Sequence, residues 1–221
     1  MADPVLPESL QREVARTLAP VRPLASPTRR VLLFVPLALA LLAGVARLWG
    51  LRLDAVTIGP LRLWGGSLVQ IAVGLLVLVA SLSESIPGRL AGPRSLALRA
   101  ALGAAIVLVL TFATFVASPT RVPGQATRHF FVVCLTRSMA LGLLPLATSI
   151  LLLRRGLIGR PAVTGALAGF GSGLLADASW RLGCEVSAPA HVLTAHGGAI
   201  LALAGAGALA CLIVSRRGAA R

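Results

Sequence analysis

The sequence has no lysine and no tyrosine, and among 221 residues it carries only seven acidic residues, three cysteines, three tryptophans and three histidines. Charged residues make up 13% against 57% hydrophobic, with a mean hydropathy of +0.89. A water-soluble domain is excluded, because such domains are about a quarter charged. Three cysteines are too few for a disulfide scaffold. No His-Glu-x-x-His, Gly-x-Ser-x-Gly or phosphate-cradling glycine loop occurs, so neither an enzyme nor a cofactor is expected. All 21 basic residues are arginine and the net charge is +14. They sit between apolar runs, not in clusters with polar or aromatic partners, so no direct contact with nucleic acid is expected.

What the chain does have is long apolar blocks. Six of them, at residues 31–50, 65–83, 101–117, 132–153, 162–180 and 192–215, are long enough to cross about 30 Å of hydrocarbon as helices. They are continuous and rich in Leu, Ala, Val and Gly, without the alternation of a membrane barrel. The expected fold is therefore an all-α integral membrane protein with six transmembrane helices in the lipid bilayer. Residues 1–30 form a cytoplasmic helix and linker, 31–215 the bundle and 216–221 a basic tail. Arginine sets the orientation: fourteen fall on the side of the two termini and seven on the other, so both termini face the cytoplasm. Trp49, Trp64 and Trp180 then all fall at the outer interface, where an aromatic belt is expected. Reading the first block as a cleaved signal, with Gly44-Val45-Ala46 as the cleavage site, is weaker because 30 residues precede it.

Few residues in the bundle carry chemistry. Asp177 and Arg181 are one helical turn apart, which suits a local structural ion pair. Gly165, Gly169 and Gly173 recur every four residues and form a groove for close helix packing, either within the bundle or between two copies as a homodimer through the fifth helix. Cys134 opens the fourth block and Cys184 lies just past the fifth, at similar expected depth on the outer side. Three readings stay open for them. They form a disulfide if their α-carbons come within about 7 Å, they bind a thiophilic metal with Glu185, His191, His196 or His129 as auxiliary ligands, or they are small apolar fillers. Cys211, deep in the sixth block, reads as a filler. His191 and His196 are five apart and so fall on different faces of an α-helix, which argues against them as a metal pair.

The first 30 residues form the only sizeable element outside the bundle. Leu6, Leu10, Val14 and Leu18 recur every four residues as a slanting apolar stripe, with Pro7 and Glu8 suited to the helix start and Pro20 to its end. A helix of about thirteen residues is marginal alone in water. Its spaced anchors suit the groove of a protein partner, the alternative being a helix resting on the membrane surface. Residues 19–27 are proline-spaced and act as an extended spacer.

In the order of its elements the chain resembles the NrsF-type six-helix membrane anti-sigma factors. The resemblance rests on the short N-terminal helix followed by Pro20-Val21-Arg22-Pro23-Leu24, on Cys134-Leu135 entering the fourth helix and on the glycine-rich fifth helix. Gly183-Cys184-Glu185, followed by His191 and His196, completes it. Size, arginine content and span number also look like the light-responsive membrane anti-sigma factors that silence carotenoid genes. The resemblance implies a negative regulator of transcription in the bacterial inner membrane. Its N-terminal stripe would hold an extracytoplasmic-function sigma factor, and Cys134 and Cys184 would sense an oxidative, metal or light-derived stress such as singlet oxygen. Two other readings are a small transporter or channel subunit and a structural subunit of a membrane complex. The first lacks charged residues along a path at mid-depth; the second leaves the N-terminal stripe unexplained.

Overall fold

The computed structural model describes residues 7–17, 24–86, 88, 91–119, 124–156 and 158–219, and every regular element among them is helical. In chain order these are α1 (Glu8–Thr17), α2 (Pro27–Val31), α3 (Phe34–Leu48), α4 (Ala55–Ile58), α5 (Gly66–Ser83), α6 (Pro93–Ala117), α7 (Gly124–Leu153), α8 (Pro161–Trp180), α9 (Pro189–His191) and α10 (Gly197–Ala219). Single π-helical turns at Leu61–Gly65 and Val192–His196 lead into α5 and α10.

Among the described residues, five stretches are long and apolar enough to cross a membrane: Pro27–Leu48, Leu61–Ser83, Pro93–Ala117, Arg128–Leu153 and Pro189–Arg216. The fifth block expected from the sequence, residues 162–180, becomes α8 but is not among these five. Its four glycines, with Thr164, Ser172, Asp177 and Ser179, dilute its hydropathy, and every residue from 171 to 180 is buried. Protein surrounds the second half of this helix, and small residues suit a surface that must meet other helices closely. At the other extreme is α6, with 17% of its apolar window buried and Leu98, Val109, Phe112 and Val116 turned outward.

The α8 glycines decide how closely the core helices approach. A methyl group on Gly165 would run into the carbonyl of Gly207, and one on Gly169 into that of Leu203. One on Gly173 would stand 2.9 Å from the α-carbon of Ile200. The stripe therefore packs against α10 of the same chain, which leaves no groove there for a homodimer. Gly171 faces the opposite neighbour, with Leu78 Cγ and the Gly74 carbonyl of α5 at 2.8 and 3.0 Å from such a methyl.

Several helices begin earlier than the apolar blocks suggest, for local reasons. Pro93 starts α6 at the position proline favours, bringing Arg94 and Arg99 into the helix. α7 begins at Gly124 and runs through Pro145, whose carbonyl accepts a hydrogen bond from Ser149 Oγ at 2.8 Å. At α2, Ser26 Oγ caps the Arg29 N–H at 3.3 Å. Arg30 is buried there and donates to Ser85 Oγ at 3.2 Å and to the Leu152 carbonyl, clamping the ends of α5 and α7. Beside this clamp the fully buried Glu84 receives Arg160 at 2.5 Å and the Ala91 N–H at 2.8 Å. These bonds close the end of the bundle at which α2 begins and α10 ends.

Candidate functional site

The opposite end of the bundle holds the chemistry. Cys134 sits in the first half of α7, Cys184 lies in the turn after α8, His191 ends α9, and His196 ends the π-turn before α10. All four are buried, and one donor atom from each lies within 4.8 Å of the others. The two sulfurs are 3.4 Å apart and unbonded, and Cys184 Sγ is 3.8 Å from His191 Nε2. Contact with the sulfur of Cys134, followed by burial, raises the Cys184 thiol above its ordinary pKa, so it holds its proton at neutral pH.

The histidine pair corrects the sequence reading. Five residues put two side chains on different faces of an α-helix, but residues 192–196 form a π-turn, whose bonds run from i to i+5. His191 and His196 thereby come onto one side, with ring centroids 5.7 Å apart. Glu185 and His129, named beside them as auxiliary ligands, do not join: both are exposed and neither belongs to the four-residue group. Cys211 is buried in α10 against Gly165, well away from the pair.

Asp177 holds the cluster in place from behind. The ion pair expected from its spacing forms, with Arg181 Nε 2.9 Å from Oδ2, but the same carboxylate also meets His196 Nδ1 at 2.6 Å and Gln70 Nε2 at 2.6 Å. Arg181 reaches on to Thr111 Oγ1 at 3.1 Å. His196 Nε2 points away from the carboxylate, is buried and has no hydrogen-bond partner. An orphaned buried polar atom of this kind costs about 1–3 kcal/mol.

Two further groups at this end were not anticipated. Gly50, with φ of 81°, turns the chain after α3 into a loop where Arg52 is buried. Arg52 binds Asp54 at 2.5 Å and Ser187 Oγ at 2.5 Å, while Ser118 Oγ donates to Asp54 at 2.5 Å. Burial would raise the Asp54 carboxyl, yet the hydrogen bonds from Arg52 and Ser118 outweigh it and hold the pKa below its ordinary value. Arg137 of α7 lies over two tryptophan rings, 4.9 Å from Trp180 and 5.5 Å from Trp49. Trp180 is 2% exposed, so it is a core residue and not part of an interfacial belt; this end of α8 lies inside the bundle.

A cleft of about 480 Å³, open mouth included, leads to this end between the first π-turn, α6 and the 181–192 segment. Cys184 and His196 line it, together with Arg52, Arg62 and Arg181. Far along the chain in α1, Leu10 and Val14 are 47% and 46% exposed, whereas Leu6 and Leu18 lie outside the described residues.

Against this geometry, a family described as negative regulator of sigma F matches residues 14–216. The chain belongs to that family. The match takes in the last turn of α1, the bundle up to residue 216 and all four clustered cysteine and histidine residues. As a negative regulator of sigma F, its partner is a sigma factor and its role is regulatory. No curated protein and no solved structure matches the chain.

Proposed function

We propose that the chain is a six-span anti-sigma factor of the bacterial inner membrane, with both termini in the cytoplasm, that holds an extracytoplasmic-function sigma factor on the stripe of Leu6, Leu10, Val14 and Leu18. Bound there, the sigma factor is kept from RNA polymerase. The observation that carries this reading is the family match, which runs from the bundle into the last turn of α1 and begins at Val14. α8 supplies the sixth span: buried among the other helices, it does not need the hydropathy that lipid demands. The arginine asymmetry supports the orientation.

Release follows an oxidative, metal or light-derived stress received at Cys134 and Cys184, at the far end of the bundle from the termini. α8 connects the two ends, from Asp177 behind the cysteines to Arg160 at its start, where Glu84 is held. A switch of this kind needs a bundle with two arrangements, and a rigid central helix contacting both ends suits one.

The test uses the full chain. Leu10→Asp with Val14→Asp removes two apolar anchors worth about 1.5–3 kcal/mol each when buried. We expect co-purification of the sigma factor to be lost, and its target genes to be expressed without stress, while membrane insertion is unchanged. Persistent repression would overturn the role of the stripe. In Cys134→Ser with Cys184→Ser, the stress dose response should change while membrane insertion is unchanged.

A further inference from the structure

We propose that Cys134, Cys184, His191 and His196 form a closed four-ligand site for a thiophilic divalent cation, zinc being the best fit. As a regulatory device this rests on the anti-sigma reading above; as a binding site it stands on its own observations. The first is the donor set. Two sulfurs and two imidazole nitrogens match a structural zinc site, and no exposed donor is included. Tetrahedral geometry with Zn–S of about 2.3 Å and Zn–N of about 2.0–2.1 Å requires donor separations of about 3.4–3.8 Å. The sulfurs are at 3.4 Å, the Cys184–His191 contact is at 3.8 Å, and no pair exceeds 4.8 Å, so small side-chain adjustments close the site.

The second observation is independent of spacing. His196 uses Nδ1 on Asp177 and leaves Nε2 buried, unpartnered and on the side of the cysteines. A carboxylate on one ring nitrogen and a vacant lone pair on the other is the arrangement that orients a metal-ligating histidine and raises its basicity. Asp177 is itself fixed by Arg181 and Gln70, so the orienting group cannot swing away. A ligand on Nε2 removes the penalty of the orphaned atom.

Charge selects the valence. Two thiolates and a divalent ion sum to zero, whereas a univalent ion leaves one uncompensated negative charge in an apolar surround, which is costly. The cleft beside Cys184 and His196 supplies an entry path, and two of its three arginines, Arg52 and Arg181, are neutralised by Asp54 and Asp177. Once bound, the ion ties α7, the segment after α8 and the start of α10 together around the end of α8. Its loss frees those ends to separate.

The experiment takes the reduced, chelator-treated full chain in detergent and titrates it with Co²⁺, then with Zn²⁺. We expect one Co²⁺ per chain, with thiolate-to-metal charge-transfer absorption and the intense visible bands of a tetrahedral centre, displaced by one Zn²⁺. Cys134→Ser, Cys184→Ser, His191→Gln and His196→Gln should each lose this signature, and Cys211→Ser should keep it. Asp177→Asn should weaken binding by about 10–100-fold, as removal of a group orienting a ligand does. The wild-type spectrum carries the test even where a variant fails to fold. Failure of the reduced wild-type chain to take up Co²⁺ stoichiometrically would overturn the site, as would unchanged affinity in both histidine variants. Sigma-factor capture by the same preparation is measured separately, so a negative metal result leaves the anti-sigma reading standing or falling on its own.

Discussion

Asp177 satisfies three partners from three different parts of the chain: Arg181 on its own helix, Gln70 on α5 and His196 before α10. Removing it leaves a largely buried guanidinium without its counter-charge and an imidazole without its hydrogen-bond partner, so Asp177→Ala should destabilise the bundle by about 3–5 kcal/mol in detergent denaturation. A change below 1 kcal/mol would show that water takes over its role. Asp54 gives a pH effect whose sign is fixed. Its pKa is lowered in the folded chain, so its contribution is complete above the unfolded value of about 3.9 and is lost as pH falls through the folded value. Thermal unfolding between neutral pH and pH 3 should therefore show a smaller acid loss in Asp54→Asn than in the wild type. The difference should be about 1 kcal/mol, the scale of a pair open to solvent screening. At this scale the sequence was partly legible. The Asp177–Arg181 pair follows from a four-residue spacing, but His196 and Gln70 reach the same carboxylate from other helices, and no local pattern announces a contact made over such separations.

Among the elements, the glycine seam and the π-turns shape the structure most. Gly169 is pressed against the backbone of α10, which cannot yield as a flexible side chain can, whereas a methyl at Gly44 would meet nothing within 4 Å. Gly169→Ala should therefore cost about 1–3 kcal/mol or more, as overpacking does. Gly44→Ala should be neutral or slightly stabilising through helix propensity, and the pair compared by thermal stability in detergent separates close packing from glycine content. The stripe itself was readable from its period, but which neighbour fills it was not, since period reports a face and not its partner. The π-turn at 192–196 was hidden for a different reason: a helix with one extra residue in a turn has no composition signature, so a five-residue spacing counted on an α-helix puts His191 and His196 on different faces.

For the molecule as a whole, hydropathy found the outward-facing helices. It rates the centre of the bundle least well, because lipid selects apolar side chains while a helix wrapped by protein is selected for shape. This has a consequence for how the protein is made. Insertion machinery admits a segment largely by its apolarity, and α8, with four glycines and a buried Asp177, presents a poor case on leaving the ribosome. The stripe of Gly165, Gly169 and Gly173 packs against α10, which is not yet synthesised at that moment. On the six-span reading, α8 waits at the edge of the bilayer and enters with its partner. A chain stopped after residue 188 and carrying Glu185→Cys should then be labelled poorly by a membrane-impermeant thiol reagent from outside. The full-length Glu185→Cys chain, in which that position is exposed, should be labelled readily. On that reading a helix made later completes the membrane entry of the one before it.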